Sequence, residues 1–283
     1  MKRRFVRLVL AVVAVLVQAG CDADRRPIAD FESDAPSALF YPRHETLELR
    51  FRPTAFPLTG GCPTVFLHLQ DASGRVVRTF DHRPPRWMPG EEVSYRLELF
   101  QSALAPPLPA GVYRLVAGLY DPASGRRSRL QTNFPEAGDA RYVIASIEVE
   151  ETVADNVQLD FSPDWQDPEP GSDAQILARR WFAGTAKLEI TAGSEAIVLW
   201  LQVAVPRTAA ADLVLEAGAR QPRVAVTVSC ADDPPSWGVG RHQLEVEIAA
   251  GKRCEIGFRA NFSQRSEEGP RSAALEAISW SRE

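Results

Sequence analysis

The sequence predicts an all-β chain of two β-sandwich domains behind an export leader, and three observations predict it. With 283 residues, 45% hydrophobic and 24% charged, the composition is that of a globular protein with more chain than one core usually serves. The 22 prolines and 18 glycines punctuate short strand-like runs, and few segments carry a helical period. The first twenty residues have a different make-up from everything after them.

The leader comes first. Lys2, Arg3, Arg4 and Arg7 precede the apolar run Leu8 to Val17, about half of what a bilayer-spanning helix needs, and Ala19 and Gly20 follow. Residues 1–20 therefore read as a bacterial-type signal peptide. The junction VQAGC, ending at Cys21, resembles a lipobox, which implies diacylglycerol on the Cys21 thiol and cleavage that leaves Cys21 as the new N-terminus. Gln18 stands where an aliphatic residue is usual, so ordinary cleavage after Ala19 stays open as the alternative. Asp22 resembles the inner-membrane retention signal of enteric bacteria. Loss of the leader removes four positive charges and no negative one, taking the formal charge from −5 to −9. That balance argues against phosphate-backbone binding, hence against nucleic acid, and against electrostatic docking on anionic lipid. Membrane attachment is expected through lipid on Cys21, with several acyl chains for stable anchoring. The expected location is the bacterial cell envelope, lipid-anchored, facing periplasm or surface.

Residues 21–37 are polar and aperiodic and read as a flexible tether. Residues 38–151 hold ETLELRFR, TVFLHLQ, RVVRTF, EEVSYRLELF, GVYRLVAGLY, RRSRLQT and RYVIASIEVE, separated by Gly, Pro and Asp-rich turns. Seven strands at this spacing predict an immunoglobulin-like sandwich. Val112, Leu115 and Leu119 do not share one parity, which predicts a bulge or a buried central strand there. Residues 152–283 open with FSPDWQDPEPGSD and continue through AKLEIT, AIVLWLQVAV, RVAVTVSC, RHQLEVEIAA, RCEIGFRA and SAALEAISW. They predict a second antiparallel sandwich, jelly-roll-like, in which Leu244, Val246 and Ile248 alternate with Glu245 and Glu247.

The run from Thr64 to Phe100, continued through PPLPAG into GVYRLVAGLYDPASGRR, resembles the soluble β-sandwich appended to large bacterial membrane glycosyltransferases and related exopolysaccharide proteins. Phe66, His68, Asp71, Asp81, Trp87, Gly111, Tyr113, Gly118, Tyr120, Asp121 and Gly125 carry it. The second half resembles a companion sandwich of the same proteins through Trp165, Glu169, Arg180, Trp181 and Arg271. With no multi-spanning catalytic portion, the resemblance implies an accessory role without transferase chemistry. Read from the residues alone, Asp121, Pro122 and Gly125 are hairpin signals, Asp bonding turn amides and Gly tolerating positive φ.

Candidate chemistry is sparse. Cys230 and Cys254 end and open strand-like runs and predict a disulfide, whereas Cys62 has no evident partner unless an unlipidated Cys21 supplies one. No Cys/His spacing matches zinc, so neither metal nor cofactor is expected. His68 and His82, with Asp71 or Asp81, form the one histidine group that strand pairing could assemble. No nucleophile elbow or phosphate loop occurs. The acidic tract Asp160, Asp164, Asp167, Glu169 and Asp173 surrounds Trp165 and precedes Arg179, Arg180 and Trp181. Indole beside carboxylate and guanidinium is the chemistry sugar sites use, against which stands a Glu169 to Arg180 ion pair holding a first strand. Trp165 and Trp237, in Pro-rich loops, are expected at a sugar or partner surface and Trp181 in the core. The candidate ligand-binding set is thus Trp165, Glu169, Arg180 and Trp237. The expected function is a non-enzymatic envelope lipoprotein that contacts glycan or protein in envelope or exopolysaccharide machinery. A carbohydrate-active enzyme using the acidic tract, or a purely structural lipoprotein, are the alternatives.

Overall fold

A computed structural model describes residues 26–57, 61–150, 156–171, 177–207, 212–232, 235–266 and 269–282. The leader, Gln18, Cys21, Asp22 and Asp173 lie outside these residues. Among the described residues no helix is long and apolar enough to cross a membrane.

The chain is all-β, with several sheets arranged in sandwich fashion. The strands are β1 (Ala29–Asp34), β2 (Ala38–Leu39), β3 (His44–Pro53), β4 (Thr64–Gln70), β5 (Val76–Thr79), β6 (Val93–Phe100), β7 (Gly111–Tyr120), β8 (Arg127–Ser128) and β9 (Tyr142–Val149). They continue with β10 (Gln158–Phe161), β11 (Glu169–Pro170), β12 (Ala178–Phe182), β13 (Thr185–Thr191), β14 (Ile197–Val205), β15 (Leu213–Leu215), β16 (Val224–Val228), β17 (Ser236–Trp237), β18 (Gly240–Ile248), β19 (Arg253–Ala260), β20 (Phe262–Gln264) and β21 (Ala273–Arg282).

Two compact units result, and neither is one continuous stretch. The first takes the described residues up to Pro36 together with Thr46–Leu97 and Tyr113–Ser146; the second takes Ser37–Glu45, Glu98–Val112 and Ile147 onward. Segments 37–45 and 98–112 group with the second unit because their backbones bond within it. Ala103 N–H donates to Ile278 O (2.8 Å), Gln101 N–H to Arg43 O (3.0 Å), and Ile278 N–H to Ser102 Oγ (3.2 Å).

In the first unit, β1, β3 and β6 form a three-stranded sheet, and β9, β7, β4 and β5 run in that order in a larger one, with β8 beside β7. The expected tether is corrected here: residues 29–34 are strand β1, in register with β3 from Ala29↔Pro53 to Asp34↔Glu48. Its alternation explains this, since Ala29 and Phe31 are buried while Asp30 and Glu32 face solvent, and Phe31 stacks on Phe51 with centroids 4.7 Å apart. Length and polarity suggested a linker, but two apolar residues two apart suffice to seat an edge strand.

The irregular parity of β7 resolves as a central strand, buried without interruption from Leu115 to Leu119 and paired to β4 without a register shift. Gly118 faces Phe66 across that ladder, and a Cβ on it would overlap the Phe66 ring and the Ala140 carbonyl oxygen. Gly118→Ala is therefore expected to cost about 1–3 kcal/mol by overpacking, read as a lower urea midpoint at unchanged m-value; an unaltered midpoint would show that the ring moves aside freely. At the end of β7, Asp121 Oδ1 accepts the Ala123 N–H at 2.9 Å and Gly125 takes φ 70°, which closes the hairpin read from the sequence.

In the second unit, one five-stranded sheet runs β10-β13-β19-β16-β17 and another β11-β12-β21-β14-β18. Leu188 and Ile190 of β13, Ile256 and Phe258 of β19, Leu199, Leu201 and Val203 of β14, and Leu275 and Ile278 of β21 join in one apolar cluster. On β18, Val246 and Ile248 are buried while Glu245 and Glu247 are exposed, the alternation of a strand with one buried face. Cys230 is disulfide-bonded to Cys254, with Cα atoms 5.4 Å apart. The bond follows from register, since Val228↔Ile256 sets residue 230 opposite residue 254.

Candidate functional site

Strand parity sorts the residues of the second unit. Phe182 of β12 belongs to the apolar cluster, so Trp181 and Arg179, one and three positions before it, lie on the opposite face. The short β11 pairs Glu169 with Arg179. Glu169 Oε1 accepts the Trp181 indole N–H at 2.6 Å, and Oε2 accepts from the Arg271 guanidinium at 2.8 Å. Arg179 Nε stands 3.9 Å from the same carboxylate. The Arg271 guanidinium also lies over the Trp181 ring, 4.9 Å from its centroid, a cation–π contact. Trp181 is 7% exposed, while the side chains of Glu169, Arg179 and Arg271 are 29%, 18% and 13% exposed, so Glu169 is the most exposed member of this group.

A second group continues across the same sheet. Between β14 and β21 the register shifts from Gln202↔Ala277 to Val203↔Leu275, leaving Glu276 as the extra residue of a bulge. The bulge aims its carboxylate at Gln202 Nε2 (3.2 Å) and Arg241 Nε (2.9 Å). Glu276 is 5% exposed; burial pushes its pKa up, and Arg241 and Arg179 oppose that shift. Arg179 thus links the two carboxylates electrostatically.

Of the sequence candidates, Glu169 stands in this cluster and the other three do not. Trp165 is 6% exposed, sits in the apolar cluster, meets Phe161, Phe182 and Phe258 edge-on and donates its indole N–H to Lys187 O at 2.8 Å. Trp237 is 6% exposed, pairs through β17 with Val224 and stacks on His242 at 5.4 Å. Both were expected at a ligand surface and both belong to packing. The reason for Trp165 is a turn: its N–H bonds back to Ser162 O at 3.2 Å, which folds the Pro-containing stretch over the sandwich. Arg180 does not bind Glu169; its guanidinium lies 4.3 Å from the Phe161 ring centroid, because adjacent strand residues point to opposite faces. Trp181, expected in the core, is buried, on the face of β12 opposite the apolar cluster, with its indole N–H on Glu169. Asp160, Asp164 and Asp167 are exposed.

In the first unit, His68 and His82 go separate ways. His68 Nε2 pairs with Asp81 at 3.1 Å. His82 Nδ1 donates to Phe80 O at 2.8 Å, and its Nε2 takes the Tyr95 hydroxyl at 2.7 Å. Burial lowers the His82 pKa against the opposing pull of the Phe80 carbonyl and Asp81. Cys62 is a half-buried free thiol whose pKa is raised by burial and opposed by Arg83. Among the described residues no group of three His, Cys, Asp or Glu is placed to hold a metal ion.

Glu276 and Gln202 were missed by sequence reasoning, yet each carries a signal. Gln202 is the one polar residue in AIVLWLQVAV, and Glu276 the one charged residue in AALEAISW. A lone polar group inside an apolar run has to find a partner once buried.

No family model and no curated protein matches the chain. Among solved structures, it is similar to the secreted serine protease VesC from Vibrio cholerae at 10% identity and TM-score 0.22, over 92% of this chain and 52% of that one. The E. coli alpha-2-macroglobulin matches at 14% identity and TM-score 0.25, over 89% and 14% respectively. The M60 catalytic domain with the CBM51-1 and CBM51-2 domains from Clostridium perfringens ZmpB matches at 8% identity and TM-score 0.29, over 90% and 31%. The chain thus spans about half or less of the length of each of these three.

Proposed function

We propose that the protein is an envelope lipoprotein of two sandwiches, immunoglobulin-like and then jelly-roll-like, that acts by binding. Lipid on Cys21 holds it to the membrane, and its partner is a glycan or a protein of envelope or exopolysaccharide machinery, in line with the accessory sandwiches its sequence resembles. The observation that carries the binding role is the part-exposed Glu169 side chain, its carboxylate set between the Arg271 and Arg179 guanidiniums and the Trp181 indole edge. Fixed charges beside an aromatic edge suit sugar hydroxyls or a polar peptide group. The ligand surface is accordingly the edge formed by β11 and β12, with Glu169 and Arg271 in place of the buried Trp165 and Trp237.

Retention of the full-length, membrane-extracted protein on immobilised envelope polysaccharide, with co-purification from membranes for protein partners, tests this reading. Glu169→Gln is expected to lower retention about tenfold, the effect of roughly 1.4 kcal/mol. Equal retention by the variant would remove the site, and steady release of reducing ends would move the protein to the carbohydrate-active enzymes. Mass spectrometry of the mature N-terminus addresses the anchor. Acyl groups on Cys21 are expected, and an unmodified chain beginning at Gly20 would end the lipoprotein reading.

A further inference from the structure

We propose that the end of the first unit at which the chain joins β1 is a bilayer-facing surface, seated on the phospholipid headgroups of the membrane that holds the Cys21 acyl chains. The inference rests on lipidation as read above and adds which surface meets the membrane and how.

Chain length sets the distance. The Ile28 N–H already donates to Arg129 O (3.0 Å), and Ile28 O accepts from Thr54 (2.7 Å) and Ala55 (3.2 Å). Four residues, 22–25, separate Cys21 from Arg26. Even fully extended, the connection from Cys21 to Arg26 covers about 18 Å. Acyl chains on Cys21 therefore hold this end of the unit close to the headgroups, where a seventeen-residue tether would have let it swing free.

The surface held there has both chemistries a bilayer interface selects. Phe56 is 45% exposed and Met88 42%, and they sit on two loops tied together, the Trp87 indole N–H donating to Ala55 O at 3.1 Å and Gly90 N–H to Pro53 O at 2.8 Å. Around them Arg26, Arg83, Arg86, Arg126, Arg127 and Arg129 are all exposed. They share one end because Thr64 of β4 pairs with Tyr120, the last residue of β7, His82 bridges Val65, and Ile28 bonds Arg129. The exposed acids beside them are Glu91, paired with Arg86 at 2.8 Å, Glu92, paired with the exposed Arg52 at 3.0 Å, Asp139, paired with Arg127, Asp30, which bridges Gln131, and Glu136, which accepts the Ala140 N–H; Asp121 is buried and Asp81 holds His68. Asp22, Asp24 and Arg25 of the connecting residues reduce the positive excess by one charge. On a processed chain whose formal charge is −9, a local positive excess beside two exposed apolar side chains is an asymmetry with a direction. Basic residues within a Debye length of an anionic leaflet, about 8 Å at physiological salt, each favour the surface roughly fivefold. The overall acidity that argues against free electrostatic docking does not oppose a surface that the lipid already delivers.

The test uses the acylated full-length protein in vesicles of phosphatidylethanolamine and phosphatidylglycerol, three to one, and in phosphatidylcholine alone. A nitroxide on Phe56→Cys in a Cys62→Ser background is expected to become oxygen-accessible and shielded from an aqueous nickel chelate in the anionic vesicles. A label on Val239→Cys in the second unit is expected to stay aqueous. Hydrogen exchange of the unlabelled wild type supplies a reading independent of the substitutions, with the non-proline amides of 54–56 and 83–90 expected to slow several-fold on the vesicles. An acylated N-terminus with Phe56 as water-exposed as Val239, and exchange unchanged, overturns the docking surface and leaves lipidation standing. An unacylated N-terminus overturns both. Protection of the same amides by soluble dextran sulfate but not by vesicles assigns the patch to a free polyanion and overturns the docking surface.

Discussion

Trp165→Ala is expected to destabilise the second unit by about 3–5 kcal/mol, the range for deleting a buried indole from a packed core. The side chain is 6% exposed and meets three aromatic rings with centroids between 5.1 and 5.8 Å away. Truncation forfeits these contacts and the indole bond to the Lys187 carbonyl, which keeps the Ser162 N–H at 3.0 Å. Phe161 and Phe258 come from β10 and β19 and Phe182 from β12, so Trp165 ties strands of both sheets of the sandwich. Trp165→Phe keeps most of the apolar area and loses the hydrogen bond, and is expected to cost less than half as much. Urea unfolding followed by near-ultraviolet circular dichroism measures both variants. A cost under about 1 kcal/mol for the alanine variant would return Trp165 to the surface, where Pro-rich sequence context had put it.

That reversal shows where sequence reading stops. Strand periodicity is a local property, and β18 is legible from Leu244 to Ile248 because one-face burial writes itself into alternate residues. The Cys230 to Cys254 bond is legible for a related reason, Cys230 closing one strand-like run and Cys254 opening another. Burial of an aromatic in a turn is not local. Trp165 gains its hydrogen bond from residue 187 and its packing from residues as distant as 258, and a Pro-rich flank says only that the backbone turns. Glu169 was recognisable as a charge beside Trp and Arg, yet its choice of Arg179 and Arg271 over Arg180 depends on which face β12 presents. The apolar character of Phe182 beside Trp181 is the signal that would have fixed that parity. The bulge at Glu276 had no local signature beyond a carboxylate in an apolar run, because a bulge appears only when two strands are laid side by side.

Acidification is expected to weaken the second unit through His44, by roughly 2 kcal/mol between pH 7 and pH 4.5. His44 is 6% exposed, holds Ser279 Oγ at 3.2 Å through Nδ1, and faces the Trp200 ring. Burial lowers its pKa from 6.5 to about 4. The folded state therefore binds a proton less readily than the unfolded chain, so the stabilisation is complete above pH 6.5. It is lost as the pH falls towards 4 and levels off below that. A displacement of this size corresponds to about 3 kcal/mol across the whole window. Other groups titrate around it and have to be separated, among them Glu45 of the second unit, whose pKa burial raises, and Asp71 of the first, whose pKa the Ser73 hydroxyl and nearby hydrogen bonds lower. His82 has a lowered pKa too but lies in the first unit. Glu276, in the second unit, is shifted upward by burial, so its contribution has the opposite sign and is lost as pH rises above the ordinary carboxylate range. His44→Gln isolates the effect, since the amide can still bond Ser279 and carries no titratable proton. Equilibrium unfolding in urea at pH 7, 5.5 and 4.5 is expected to give a wild-type loss roughly 2 kcal/mol larger than that of the variant. Parallel profiles for the two proteins would mean that His44 takes up its proton in the folded state without penalty, which the burial of its ring beside Trp200 does not allow.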